Sequence, residues 1–274
     1  MRLSVLDQSP VPSGSTGGDA LRNSIDLARR CEGFGYHRYW VADHHNTGGL
    51  AGSAPEILIA HIAEATERIR VGSGGVMLPH YAPYKVAETF RVLASLHPGR
   101  IDLGIGRAPG SDQAAMVALA PDHQPISIEK YPAMVAELDG FLNDDLHEGN
   151  PFRGRVRATP VPDDAPALWL LASSPDSAAH AAHFGLPLAF ADFISQSDGT
   201  AIAANYRDNY RPSVRHPEPE ILVAASVICA ATHEEAEELA AGVKLWRQRG
   251  LQGPIPSPQD VRDAVPGPLT VQPS

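Results

Sequence analysis

The stretch Leu96–Asp112, LHPGRIDLGIGRAPGSD, joins a short apolar strand to a glycine-rich loop that holds one arginine, Arg107. In α/β folds, loops at the carboxyl ends of strands carry ligands. Gly104, Gly106 and Gly110 would let backbone approach a ligand closely, and Arg107 can grip a phosphate or carboxylate with two N–H groups. A tight turn with a solvent-facing arginine fits the same residues. A second anion-friendly loop is Ser173-Ser174-Pro175-Asp176-Ser177. There the hydroxyls of Ser174 and Ser177 join the free N–H groups of a helix start; ordinary N-capping is the other reading. His44 and His45 follow a further strand, within Asp43-His44-His45-Asn46. Neighbours on an extended segment point opposite ways. One imidazole can therefore face a site as acid or base while the other hydrogen-bonds sideways. Consecutive residues rarely converge on one ion, and no distant partner has metal-ligand spacing, so no metal is expected. Gly74 and Gly75 end another strand. They suit a flat ligand close to the backbone, an unusual peptide geometry, or a β-bulge.

Those loops need strands to hold them. Apolar runs at Leu3–Leu6, Tyr39–Ala42, Ile69–Gly72, Ile101–Ile105, Leu168–Ala172, Leu188–Ala191 and Ile221–Ile228 read as buried strands; the third runs into Ser73-Gly74-Gly75, which end it, and Val76–Leu78 follows. Helical patterns alternate with them: Asp19 as N-cap to Glu32, Glu56–Thr66 behind Pro55, Tyr84–Leu96, Ser127–Leu142, Ser174–Phe184, Ala201–Tyr210 and Glu234–Arg249. Shorter helices are expected at Gln113–Ala120 and Pro258–Val265. Such alternation gives a parallel sheet covered by helices. Seven units point to a TIM-type (β/α)8 barrel whose C-terminal eighth strand is missing from the pattern. Residues 1–250 are expected to form the barrel and 251–274 a Pro-rich tail.

The chain has 274 residues, 43% of them hydrophobic, which is enough for a substantial core. Its net charge of -10 weighs against nucleic acid or an anionic membrane as partner. An anionic ligand then needs a local cation, which returns attention to Arg107. Cys31 and Cys229 lack paired spacing and read as buried thiols of a reducing compartment. No signal-peptide pattern or membrane-length apolar run is seen, so a soluble cytoplasmic protein is expected.

VADHHN (Val41–Asn46), VGSGGVMLPH (Val71–His80), LASLHPGRIDLGIGRAPGSD ending at Asp112, and LWLLASSPDSAAHAAHFGLPLAF (Leu168–Phe190) occur in one order. As a set they resemble the bacterial luciferase-like flavin monooxygenase family across residues 1–250. The resemblance implies a barrel that takes reduced FMN from a separate flavin reductase and uses O2 to oxygenate a small organic substrate. The flavin carries the hard chemistry; the protein supplies position, dryness and proton control. By position, His44 matches the family's catalytic acid/base. Gly74-Gly75 matches a non-prolyl cis peptide beside the flavin ring, and Arg107, Ser174 and Ser177 match residues that hold the FMN phosphate. A homodimer is an expected assembly. Two departures stand out: a Pro-rich tail where the family continues into its eighth strand, and Asp192 where relatives tend to carry histidine. A flavin-binding relative without efficient turnover and a deazaflavin-dependent reductase remain as alternatives.

Overall fold

Residues 1–107 and 110–264 are described by a computed structural model. Ala108 and Pro109 of the glycine-rich loop, and 265–274 of the expected tail, lie outside the described residues. Seven strands form one sheet in chain order, every neighbouring pair parallel. They are β1 (Ser4–Asp7), β2 (Arg38–Val41), β3 (Arg70–Met77), β4 (Ile101–Gly106), β5 (Ala167–Ala172), β6 (Leu188–Ala191) and β7 (Ile221–Ala224). The sheet curls into a nearly closed TIM-type barrel that lacks the eighth strand among the described residues, leaving β1 and β7 each paired on one side.

The helices wrap the outside: α1 (Gly17–Gly33), α2 (Pro55–Ala65), α3 (Pro83–Leu96), α4 (Gln113–Leu119), α5 (Tyr131–Asn143), α6 (Pro175–Phe184), α7 (Gly199–Asp208), α8 (His233–Gln248) and α9 (Pro258–Ala264). Strand side chains alternate between two cores, as the pleat requires. Tyr39, Val41, Val71, Leu103, Ile105, Leu168 and Leu170 pack outward among helix residues such as Ile59, Ile62, Phe90 and Leu138. Trp40, Trp169 and Ala189 fill the interior with Leu6, Leu171 and Leu222. Lower in the barrel, Asp102 is fully buried. Its Oδ2 accepts from Arg38 at 2.7 Å and from the Trp40 indole at 2.9 Å, and its Oδ1 accepts from Arg70 Nε at 2.9 Å. This one carboxylate therefore ties β2, β3 and β4 together.

Three sequence expectations need correction. Asp19 is not the N-cap of α1; Thr16 is, and Asp19 closes a reciprocal capping box with it, because Gly17 and Gly18 already belong to the helix. The last strand ends at Ala224 rather than Ile228, since its partner β6 stops at Ala191 and turns into a short 3₁₀ helix. Cys31 is buried as expected, but Cys229 is exposed on the unpaired segment beyond β7.

After α8 the chain returns to the start of the barrel. Ile255 N–H donates to Val11 O at 2.8 Å, and Ser13 N–H donates to Ile255 O at 2.9 Å. Gln252 bridges to Gly48, and the Trp246 indole donates to Gly253 O at 2.9 Å. Residues 252–255 therefore strap the loops that follow β1 and β2.

Candidate functional site

Because the strands are parallel, all their carboxyl ends lie on one rim. His44 lies just beyond β2, Gly74 and Gly75 sit inside β3, Arg107 directly follows β4, and Ser174 and Ser177 link β5 to α6. These are four consecutive strands, so the fold gathers all six residues at neighbouring positions. The loops also bond to one another. His45 N–H donates to Gly110 O at 3.0 Å, and Asn46 Nδ2 donates to Asp112 Oδ2 at 2.8 Å.

The Gly74–Gly75 peptide is cis, and the β3–β4 register shifts between Gly74 and Val76. The expected strand break is thus one strand with an irregular step. Crowding within the barrel is enough to explain these glycines. A Cβ on Gly74 would lie 2.6 Å from Leu6 Cδ1, and one on Gly75 would lie 2.5 Å from Gly104 O. Gly110 has φ +59, and a Cβ there would lie 2.6 Å from Asp43 O. It is the loop glycine that both its backbone angle and its surroundings demand.

The two histidines differ in their partners. His45 turns sideways: its Nε2 lies 3.0 Å from Asp43 Oδ1 and 3.3 Å from the Tyr81 hydroxyl. Asp43 is fully buried, and its Oδ2 accepts from Met77 N–H at 3.1 Å and from Tyr81 at 3.2 Å. The hydrogen bond to Asp43 pushes the His45 pKa up. His44 lies three residues beyond the end of β2. Its N–H donates to Gly52 O at 2.9 Å, and its buried Nδ1 has no hydrogen-bond partner. Burial holds its pKa below the ordinary histidine value. Burial therefore favours the neutral imidazole, and its Nδ1 has no partner among the described residues.

On the other side of the rim, Ser174 is the N-cap of α6 without a side-chain capping bond; its hydroxyl donates instead to Ser177 Oγ at 3.3 Å. The first-turn N–H groups of α6 are thus left for an acceptor. Arg107 is half-buried and has no ion pair among the described residues. Its charge reaches Tyr131 at the start of α5 and His180 on α6. Tyr131 is 1% exposed, and its hydroxyl has no hydrogen-bond partner among the described residues. Sequence reading placed Tyr131 in a helix and gave it no role, since an isolated tyrosine at a helix start carries no motif. Asp43 and Tyr81 were likewise not read as partners of His45, because only the fold brings β2 and β3 loops together. Asp192 is exposed beside the start of α7, where a Cβ on Gly199 would lie 3.3 Å from its Oδ1.

Among the described residues no group of three His, Cys, Asp or Glu side chains is placed to hold a metal ion, and no helix is long and apolar enough to cross a membrane.

The family described as luciferase-like monooxygenase matches residues 1–264. A luciferase-like monooxygenase of Escherichia coli (strain K12) is 44% identical over 93% of this chain and 76% of its own. An N-acetyl-S-alkylcysteine monooxygenase of Bacillus subtilis (strain 168) is 41% identical over 87% of this chain and 70% of its own. The solved structure of apo-MsnO8 superposes with a TM-score of 0.88 at 40% identity, covering 97% of this chain and 79% of that one. More distant barrels share the fold alone. One is the oxygenating constituent of 3,6-diketocamphane monooxygenase from Pseudomonas putida in complex with FMN, with TM-score 0.67, 17% identity and coverage of 92% and 77%. Another is an F420-dependent secondary alcohol dehydrogenase with an F420-acetone adduct, with TM-score 0.65, 16% identity and coverage of 96% and 80%. A match along nearly the whole chain, with relatives above 40% identity, establishes that the chain belongs to the luciferase-like monooxygenase family.

Proposed function

We propose that this protein is an FMN-dependent monooxygenase that takes reduced FMN from a separate reductase and uses O2 to oxygenate a small organic substrate. One observation carries the reading. The rim holds an arginine with no ion pair and a histidine Nδ1 with no hydrogen-bond partner among the described residues, and a helix start without a side-chain cap, on strands that lie side by side. A flavin with a terminal phosphate matches that layout: anion-binding groups at β4 and β5, a proton-handling group at β2, and a flat backbone surface at β3 between them. The buried, unpartnered polar atoms of His44, Ser111 and Tyr131 also suit a ligand that would satisfy them.

Reduced flavin, when bound, supplies the electrons and the means of activating O2. Arg107 and the α6 N-terminus bind the phosphate and fix the cofactor's position. Ser174 and Ser177 add hydroxyl donors. His44 would hold or move a proton at Nδ1. Asp43 fixes the loop that carries His44, through Met77 and Tyr81. The barrel interior below, packed with Trp40, Trp169 and Leu6, excludes water from that side.

The test is an FMN titration of the purified protein by flavin fluorescence, with Arg107→Ala as control and coenzyme F420 as competitor. Micromolar or tighter FMN binding that Arg107→Ala loses supports the reading. Selective binding of F420 would replace it with the deazaflavin reductase, and binding of neither by folded protein would overturn both. Oxygenation by the FMN-loaded protein then separates a working enzyme from a flavin binder that spends reduced flavin without product.

A further inference from the structure

The connections that lead from α1, α2, α3 and α6 back into the sheet take three or four residues, whereas the one from α5 to β5 runs from 144 to 166. In compact domains a connection this long is usually either functional or a loose linker. This one is pinned. Asn150 Nδ2 donates to Glu137 Oε1 of α5 at 3.2 Å, Phe152 N–H donates to Asn150 Oδ1 at 2.8 Å, and the Phe152 ring stands 6.3 Å from that of Phe141. The N–H groups of Arg155 and Val156 both donate to Phe152 O, at 2.9 and 3.0 Å. Because the segment enters the amino end of β5, it lies at the opposite end of the barrel from the rim that carries His44, Arg107 and Ser174.

Between this turn and α5 is a cleft of about 280 Å³. Arg153, Arg155 and Arg157 line it, together with the apolar Phe141, Leu146 and Val156 and one carboxylate, Asp144. That carboxylate is already partnered. Arg157 donates to its Oδ1 at 3.1 Å and its Oδ2 at 2.8 Å, and the buried Arg91 lies 3.2 Å from Oδ2. The bonds from Arg157, with Arg91 behind them, hold the Asp144 carboxyl below the usual carboxylate range. Arg153 and Arg155 are different: among the described residues neither side chain has an ion pair or a hydrogen bond. A chain of net charge -10 thus lines one apolar cleft with two unopposed guanidiniums.

We infer that this cleft binds an organic carboxylate with a short apolar body, at a site separate from the rim. A carboxylate matches the planar fork of a guanidinium. Asp144 repels an anion on the Arg157 side, which leaves Arg153 and Arg155 to hold it. The apolar body covers the floor made by Phe141 and Leu146 and the 37% exposed Val156. Selectivity follows from needing both parts, since a simple anion leaves the floor wet and a neutral chain leaves the arginines unopposed. The inference does not depend on the proposed flavin chemistry.

Isothermal titration calorimetry of the full chain with octanoate, acetate and 1-octanol tests it, repeated on the Arg153→Gln/Arg155→Gln double variant and on Arg107→Ala. Octanoate is expected to bind the parent with a Kd below about 1 mM, and acetate and 1-octanol at least about 10-fold more weakly. The double variant should weaken octanoate about 10- to 100-fold, as the loss of charge-assisted hydrogen bonds implies. Its melting temperature should match the parent's, because both side chains are exposed. Arg107→Ala should bind octanoate as the parent does. No octanoate binding below about 1 mM, or equal binding of acetate or 1-octanol, overturns the inference. Full affinity in the double variant, or affinity lost in Arg107→Ala, puts the ligand elsewhere and overturns it too. So does a lowered melting temperature in the double variant, which makes the two arginines structural.

Discussion

Replacing Asp102 with alanine removes the shared acceptor of Arg38, Arg70 and the Trp40 indole deep in the barrel. The two cations fare differently. Arg70 still donates to Ile101 O at 3.1 Å and keeps partial access to water, its side chain being 24% exposed. Arg38 is 10% exposed and keeps only Glu220 at 3.7 Å, together with the Trp169 face 4.8 Å away. The cost is therefore dominated by one arginine and one indole N–H left inside the barrel. Breaking a buried pair by deleting one partner costs about 3–5 kcal/mol. A domain of this kind holds only about 5–15 kcal/mol in all. At roughly 2–4 °C per kcal/mol, the melting temperature should fall by roughly 6–20 °C. Urea unfolding followed by far-UV circular dichroism measures the loss. Tryptophan emission adds a local report, since Trp40 and Trp169 meet edge-to-face at 5.4 Å beside the cluster and should shift to the red. Adding Arg38→Met to Asp102→Ala removes the stranded charge and should recover at least about 1 kcal/mol of the loss. A loss below about 1 kcal/mol for Asp102→Ala, or a second loss that simply adds in the double variant, would refute this account of the barrel floor.

Four other outcomes follow from the geometry. His44→Ala should leave flavin binding intact and lower substrate oxygenation by roughly 10²–10⁴-fold; in the parent, burial should put the acid limb of the kcat/KM profile below the ordinary histidine value of 6.5. The hydrogen bond to Asp43 raises the His45 folded pKa above 6.5, so its stabilising contribution is fully present below that pH and fades as pH rises through the folded value. Denaturation midpoints at about pH 5.5 and 8.5 should therefore differ less in His45→Gln than in the parent. Gly104→Ala puts a Cβ 2.3 Å from Ser73 O, and the rigid backbone there should make the variant insoluble or at least about 1–3 kcal/mol less stable on urea titration. Gly49→Ala puts a Cβ 2.3 Å from Gly253 O and 2.7 Å from the Trp246 indole nitrogen, so limited proteolysis should cut the chain near residues 249–252 well before the parent is cut.

The barrel was legible because its signals are local. Each strand is an apolar run of the right length, and six of the seven lie within two residues of their observed ends. The rim was legible for a related reason: residues directly beyond parallel strands all emerge at one end, so His44, Arg107 and Ser174 could be grouped without knowing a distance. What the sequence withheld depends on contacts between distant elements. The glycines of β3 and β4 looked like openings for a ligand, yet each faces a neighbouring strand that leaves no room for a side chain. The Tyr81–Asp43–His45 contact joins the β2 and β3 loops, and the ring contact between Tyr131 of α5 and His180 of α6 likewise joins elements far apart in sequence. The shortening of β7 followed from where β6 stops, which no pattern within Ile221–Ile228 could reveal.

The strap formed by residues 252–255 gives the rim a place in time. A chain made from its N-terminus can pair β1 with β2 and β2 with β3 early, since each needs only the segment just before it. The loops after β1 and β2, one of which bears His44, gain the Val11–Ile255 and Gly48–Gln252 bonds only once the other end of the barrel has been built. Assembly of the scaffold therefore runs in the order of synthesis, while fastening of the His44 side of the mouth waits for residues 252–255. A nascent chain halted before Gln252 would display paired strands with that part of the mouth still loose, so the readiness of the site reports that synthesis has passed residues 252–255.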